Sequence, residues 1–164
     1  YWGGGTNHAG PEAKGAIVGF TDVHTRAHLY RAMIEGLTYA LREGKELLEK
    51  RSGTALKRLV ISGGGSQSDQ VMQITADIFG MAVERPHTYE TSGLGAAIAA
   101  AVGTGVYKDF PTAVAQMSHV ADRFEPQPAN QTIYQALYND VYKKMYRNLK
   151  PTYKAIRAIT GYPA

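Results

Sequence analysis

The 164-residue sequence contains no cysteine, so disulfide bonds and thiolate-ligated metal sites are excluded. Long hydrophobic runs are also missing. The longest stretch of small apolar residues, 93–102, is far shorter than the roughly 20 residues that a membrane-spanning helix needs. No segment has the pattern of a secretory signal. We therefore expect a protein of the reducing cytoplasm with no membrane partner.

The residues that are present have the balance of a globular domain, with 44% apolar and 20% charged side chains and a net charge of +4. Much of the positive excess lies near the end of the chain, where tyrosines also recur every four residues from Tyr134 to Tyr146. Lysines interleaved with aromatic rings can bind nucleic acid. A solvated helix face with its tyrosines packed inward fits the same pattern, and we favour it because a full apolar stripe runs beside the tyrosines. We therefore expect no nucleic-acid partner.

Short apolar runs alternate with helical patterns along the chain. Strands are predicted at 16–20, 57–62 and 81–84. Helices are predicted at 23–51, 66–80, 91–102, 110–118 and 129–149, and a last helix at 152–160 follows a kink or break at Pro151. The expected caps are Thr21 or Asp22 and Gly53 for the first helix, and Asp109 for the fourth. Strands alternating with helices indicate an α/β fold.

Three strands are few for a self-sufficient sheet, and the chain begins at Tyr1 rather than at a methionine. Both features favour a piece of a longer protein whose first strands and N-terminal part lie outside this sequence.

The segment 61–69, ISGGGSQSD, combines a strand end, a glycine turn and a helix start. Glycines let a ligand approach the backbone, and the free amides at a helix start favour anions. A nucleotide site at Gly63, Gly64, Gly65 and Ser68 is one interpretation, and a tight serine-capped turn is the other. The turn is not a P-loop, because no Gly-Lys-Ser/Thr follows it.

A second glycine-containing segment, 90–97 or ETSGLGAA, predicts a helix with one face of small residues. Gly93 and Gly95 on that face permit close packing against a neighbouring element, or else a hinge beside a moving domain. His24 and His28 have the helical spacing of zinc ligands, but no third ligand is near them in the sequence, so no metal site is assigned. No aspartate is assigned as a catalytic base.

Several segments, in this order and spacing, resemble the C-terminal domain of the FGGY carbohydrate kinase family, the relatives of xylulose and glycerol kinases. They are residues 1–2 (YW), 14–19 (KGAIVG), 30–36 (YRAMIEG), 63–65 (GGG), 76–80 (ADIFG), 83–86 (VERP) and 95–97 (GAA). The resemblance implies an incomplete actin-like, ribonuclease-H-like ATPase domain, with a short mixed sheet flanked by long helices. It implies that Gly63, Gly64, Gly65 and Ser68 bind the nucleotide at its adenosine part, that the phosphate loops lie outside this sequence, and that Gly93 and Gly95 line the hinge.

The same resemblance implies that residues 1–164 are the C-terminal nucleotide-binding domain of a two-domain kinase. ATP and Mg²⁺ would be its cofactors, and a ketose or polyol its substrate. The catalytic aspartate, the magnesium ligands and the sugar contacts are expected in the missing part, so the fragment alone is expected to be inactive. The GGGSxS form is closer to xylulose kinases. A homodimer is left open, as is a stand-alone nucleotide- or protein-binding module without catalysis.

Overall fold

The computed structural model describes Gly10 and residues 12–162, and the YW pair lies outside this part. The chain divides into two compact units, one formed by Tyr1–Leu56 with Pro128–Ala164 and the other by Lys57–Gln127. No helix among the described residues is both long and apolar enough to cross a membrane.

The second unit is a small α/β unit. Its elements, in chain order, are β1 (Leu59–Val60), a 3₁₀ turn (Gly64–Gln67), α2 (Asp69–Phe79), β2 (Val83–Pro86), α3 (Thr91–Gly103), α4 (Phe110–Met117) and β3 (Val120–Phe124). The sheet has the order β1-β2-β3, with β1 and β2 parallel and β2 and β3 antiparallel. The predicted short mixed sheet is thus confirmed.

The core of this unit lies between α2 and the sheet. Met72 and Ala76 of α2 and Val83 of β2 are fully buried. Leu59 of β1, Ile61 directly after it and Phe124 of β3 pack against them. Burying this apolar surface is the main force that holds α2 on the sheet, and it thereby fixes where the helix begins.

The first unit is helical and consists of α1 (Arg26–Ser52), α5 (Pro128–Ala136), a π-helical segment (Leu137–Tyr142) and α6 (Lys143–Thr160). Its centre is a tyrosine cluster. Tyr39 of α1 stacks on Tyr138 with ring centroids 5.7 Å apart, and it contacts Tyr142 and Tyr134 at 5.2 and 6.3 Å. Three of the four tyrosines predicted to pack inward are buried, and the fourth, Tyr146, is half-buried. Because Tyr134, Tyr138 and Tyr142 are buried, they cannot provide a stacking surface for nucleic acid.

The spacing of the tyrosines explains why the segment is π-helical. Four residues overshoot an α-helical turn of 3.6 residues by about 40°, so tyrosines repeating every four residues would rotate away from Tyr39. Wider turns with i→i+5 hydrogen bonds offset this rotation. The neighbouring apolar row, in contrast, is exposed at Ile133, Leu137 and Val141.

Two predictions about element boundaries are wrong. Residues 16–20 form no strand and pair with none of the strands in the described part of the chain, and Ile17, Val18 and Phe20 are each more than half exposed. Pro151 does not break the last helix, since α6 continues through it. A proline removes one backbone hydrogen bond, and the buried Tyr153 anchors the turn that follows.

The long first helix begins later than predicted. Its N-cap is Thr25 rather than Thr21 or Asp22, and the Thr25 amide donates a hydrogen bond to Nδ1 of His28 at 3.1 Å. His28 therefore completes a capping box, in the place where glutamate or glutamine is usual. The predicted stop at Gly53 is confirmed, with φ at 67° in the left-handed region.

Four apolar side chains that follow the helical pattern of α1 lie on its exposed surface. Met33, Leu37, Leu41 and Leu48 are each more than half exposed. The buried residues of α1 are Thr38 and Tyr39 instead. This helix therefore carries an apolar stripe that the described residues leave uncovered.

Candidate nucleotide site

The glycine turn lies at the carboxyl end of β1, beside the carboxyl end of its parallel neighbour β2. Ligands of sheets with parallel strands bind outside this edge, where loops leave the strands and helices begin. The turn continues directly into α2, whose first-turn amides point back toward it. The local order of strand, turn and helix is the one predicted from residues 61–69.

Gly63 is required by the backbone. Its φ of 88° and ψ of 179° lie in a region that is essentially restricted to glycine. The Gly63 amide donates to the carbonyl of Tyr89 at 3.1 Å. Its carbonyl accepts both the amide and the hydroxyl of the buried Ser66, at 3.0 and 2.7 Å. The turn is therefore closed on itself and tied to the segment that follows β2.

Gly64 and Gly65 differ from Gly63 because nothing within the described residues requires glycine there. Both lie in the 3₁₀ turn, neither has a positive φ, and both are exposed. A Cβ built on either residue would meet no described atom within 4 Å. Because glycine has no side chain, the space beside the backbone of these two residues is open, and a ligand could approach that backbone closely.

Ser68 has a structural task at the end of the turn. It is the N-cap of α2, and its hydroxyl accepts from the Val71 amide at 3.4 Å and donates to Oε1 of Gln70 at 3.1 Å. The serine-capped turn is thus present, and it occurs together with the open glycines rather than in place of them. Capping satisfies one of the free amides of α2 and leaves others at its start.

A cleft of about 280 Å³ borders the turn. Ser66, Gln67, Arg85, Tyr89 and Asp122 are among its lining residues. This group is assembled from the turn, from β2 and its following loop, and from β3. The sequence patterns did not predict the cleft, because β3 itself was not predicted.

Arg85 is the functional candidate that sequence reasoning missed. Its Nη1 donates to the carbonyl of Ser66 at 3.0 Å and to Oδ1 of Asp69 at 2.8 Å, and its Nε donates to Oδ2 of Asp122 at 2.9 Å. These two carboxylates, Asp122 first, raise the pKa of Arg85. Its position within the VERP segment was the only sequence signal.

The helix that was predicted to line a hinge begins close to the turn. The hydroxyl groups of Ser62 and Thr91 lie 2.9 Å apart, and Thr91 is the first residue of α3. Gly93 and Gly95 are exposed, and a Cβ on either would meet no described atom within 4 Å. Their small face therefore does not pack against any neighbouring element in the described part of the chain.

Two aspartates away from the turn have structural partners. Buried Asp77 accepts hydrogen bonds from Nε2 of Gln73 at 2.9 Å and from the amide of Gln127 at 2.7 Å. Asp109 caps α4, as predicted, by accepting from the Thr112 amide at 2.8 Å. Within the described ranges, no group of three or more histidines or acidic residues could hold a metal ion.

Comparison with known proteins identifies the family to which this chain belongs. The model described as the C-terminal domain of the FGGY family of carbohydrate kinases matches residues 1–104. A xylulose kinase of Lactococcus lactis is 33% identical over 144 residues, which are 87% of this chain and 28% of the relative. A glycerol kinase of Geobacter sp. is 40% identical over 123 residues, which are 75% of this chain and 24% of the relative.

Solved structures support the same family. The xylulose kinase of Rhodospirillum rubrum is 31% identical with a TM-score of 0.73, and the ligand-bound xylulose kinase of Lactobacillus acidophilus is 26% identical with a TM-score of 0.74. Each comparison covers 88% of this chain and 29% of the solved chain, so this chain spans less than a third of these relatives. The fold is the mixed α/β fold of actin-like kinases. The chain belongs to the FGGY family of carbohydrate kinases, with residues 1–104 matching the family's C-terminal domain.

Proposed function

We propose that the protein containing this chain is an ATP-dependent carbohydrate kinase and that the turn formed by Gly63, Gly64, Gly65 and Ser68 holds the nucleotide. The observation that carries the proposal is the turn itself. Two exposed glycines, which neither their backbone nor packing among the described residues requires, lie at the carboxyl end of a parallel strand pair, at a helix start. This arrangement offers close backbone approach and free amides to a nucleotide.

The substrate class is a ketose or a polyol. Support comes from the relatives, which include xylulose kinases and glycerol kinases. The acidic residues at the turn, Asp69 and Asp122, are both bound to Arg85. The proposal therefore places sugar recognition and proton transfer in the part of the protein outside this chain.

ATP and Mg²⁺ are the proposed cofactors. Open glycines and the start of α2 fit the nucleotide, whereas the acidic residues described here do not converge on a metal site. The magnesium ligands are therefore assigned to the remainder of the protein. When bound, the metal would neutralise charge on the transferring phosphoryl group.

Gly93 and Gly95 are proposed to line a hinge. Their exposed small face on α3 permits close approach of a second domain, and α3 is linked to the turn through Ser62 and Thr91. A domain that moves against this face would change the surroundings of the nucleotide as well.

The uncovered stripe of α1 supports a two-domain protein. Met33, Leu37, Leu41 and Leu48 are exposed apolar residues on one side of α1, which is typical of an interface. We assign its cover to the part of the protein that the longer relatives have and this chain lacks. The compartment proposed for the whole protein is the cytoplasm.

The test is a coupled assay of ADP release by the complete polypeptide, with a panel of ketoses and polyols. The panel includes xylulose and glycerol. We expect one of its members to raise the rate of ADP release well above the rate with ATP alone. Nucleotide binding without acceleration by any sugar would instead identify a binding module without catalysis. The 164-residue chain alone is expected to show no sugar-dependent turnover.

A further inference from the structure

Arg85 connects three parts of the second unit through one planar side chain. It lies in β2 and reaches the 3₁₀ turn at the Ser66 carbonyl, the start of α2 at Asp69, and β3 at Asp122. Its guanidinium carbon also lies 5.3 Å from the ring centre of Phe124. Only 19% of the side chain is exposed, in contrast to 65% for Arg58, the residue before β1.

The contact with Ser66 is the one that reaches the glycine turn. Ser66 is fully buried, and its amide and hydroxyl both donate to the Gly63 carbonyl. Arg85 binds the carbonyl of the same residue, so the sequence of bonds runs from the strand to Ser66 and on to Gly63. Because Gly64 and Gly65 lie between Gly63 and Ser66, fixing both ends of this loop fixes the two open glycines.

Arg85 also neutralises negative charge beside the glycine turn. Asp69 and Asp122 bring two carboxylates to the edge where α2 begins, and Arg85 binds both, at 2.8 Å each. Without the guanidinium, two unpaired negative charges would lie beside the turn. Such charges repel an anionic ligand, and the planar fork of arginine binds two carboxylates in a way that a lysine ammonium cannot.

We propose that Arg85 is a positioning residue for the nucleotide, which holds the Gly63–Ser66 loop in its binding conformation and neutralises the two carboxylates next to it. This inference rests on the proposed function, because it assigns the loop to ATP. It makes Arg85 act through the loop rather than by touching the sugar. Its effect should therefore fall on ATP affinity and not on sugar affinity.

The test compares Arg85→Ala and Arg85→Lys with the unchanged enzyme in the complete polypeptide. For Arg85→Ala, we expect the KM for ATP to rise on the order of tenfold or more, with the KM for the sugar within about twofold of its original value. Arg85→Lys keeps one charge but loses the fork, so its KM for ATP should fall between the two. The matched control is Arg58→Ala, which removes an exposed arginine bound to Glu84 at 2.6 Å and should change neither KM.

Each outcome decides the inference. An unchanged KM for ATP in Arg85→Ala, or equal increases for ATP and sugar, would overturn it. If Arg85→Ala does not fold, Arg85→Lys becomes the deciding variant, because it keeps the positive charge and loses the planar fork, and it should raise the KM for ATP while the KM for the sugar stays within about twofold. An unchanged KM for ATP in Arg85→Lys would then overturn the inference.

Failure of the proposed function has a separate signature. A polypeptide without sugar-dependent ADP release would refute the kinase proposal whatever Arg85 does. Calorimetric titration with ADP then still tests the inference, because Arg85→Ala should weaken ADP binding and Arg58→Ala should not. Equal ADP affinity in both variants would overturn the role of Arg85.

Discussion

Gly64→Ala separates binding from folding at the turn. The residue is exposed in the 3₁₀ turn and its φ is not positive, so alanine can adopt the same backbone. The added methyl group would meet no described atom within 4 Å. If glycine is present because the nucleotide lies there, the methyl group should disturb the nucleotide and nothing else.

Gly64→Ala is expected to increase folding stability and to weaken ATP binding. Replacing glycine by alanine at an unstrained position reduces the entropy of the unfolded chain and stabilises the protein by about 0.4–1 kcal/mol. In the complex, the methyl group must displace the ligand from close backbone contact. We expect a rise in the KM for ATP of at least about tenfold, which corresponds to about 1.4 kcal/mol of lost binding free energy.

The assay measures two quantities on the complete polypeptide: the thermal unfolding midpoint and the KM for ATP at saturating sugar. Gly44→Ala is the matched control, because Gly44 is an exposed glycine of α1 whose Cβ would also meet no described atom within 4 Å. It should raise stability by up to about 1 kcal/mol and leave the KM for ATP unchanged. Gly63→Ala, in contrast, should lower stability by about 1–3 kcal/mol because of its φ of 88°.

One result would refute the reasoning about the turn. If Gly64→Ala folds with unchanged or higher stability and its KM for ATP equals that of the unchanged enzyme, the nucleotide does not approach this residue. A loss of stability in Gly64→Ala would show that its glycine serves packing outside the described residues.

Three further predictions concern stability. Tyr134 has its pKa raised to about 12, by burial first and by its hydrogen bond to Glu35 second, so its protonated form stabilises the fold fully below pH 10. Unfolding free energy measured with denaturant should therefore fall between pH 10 and pH 12, less steeply in Tyr134→Phe. Asp77→Ala should cost about 2–3 kcal/mol because the Gln127 amide loses a charged acceptor, and a shift of the urea midpoint would measure it. Asp109→Ala should cost about 1 kcal/mol by removing the cap of α4, measured the same way, and an unchanged midpoint in either variant would contradict its role.

Local chemistry explains which elements could be predicted from the sequence. The glycine turn, the cap at Asp109 and the stop at Gly53 depend on a few neighbouring residues, and their signals are complete within the sequence. The helical spacing of α1 likewise identified the helix. It could not identify which face is buried in this chain, because the apolar stripe of α1 is left uncovered by the described residues.

Long-range pairing explains what was missed. β3 is an edge strand with its first four residues exposed, so it lacks the alternation of apolar and polar residues that marks a half-buried strand. Residues 16–20 are mostly apolar, as buried strands often are, but no strand in the described part of the chain pairs with them, so they form no strand. Arg85 could not be recognised as a central residue, since Asp122 reaches it only through the pairing of β2 with β3.

A structure of the complete polypeptide bound to ADP would show whether the glycine turn holds the nucleotide. We expect the nucleotide to lie against the backbone of Gly64 and Gly65, with Arg85 still bound to Ser66, Asp69 and Asp122. A nucleotide bound with no contact to residues 63–68 would contradict the proposed nucleotide site.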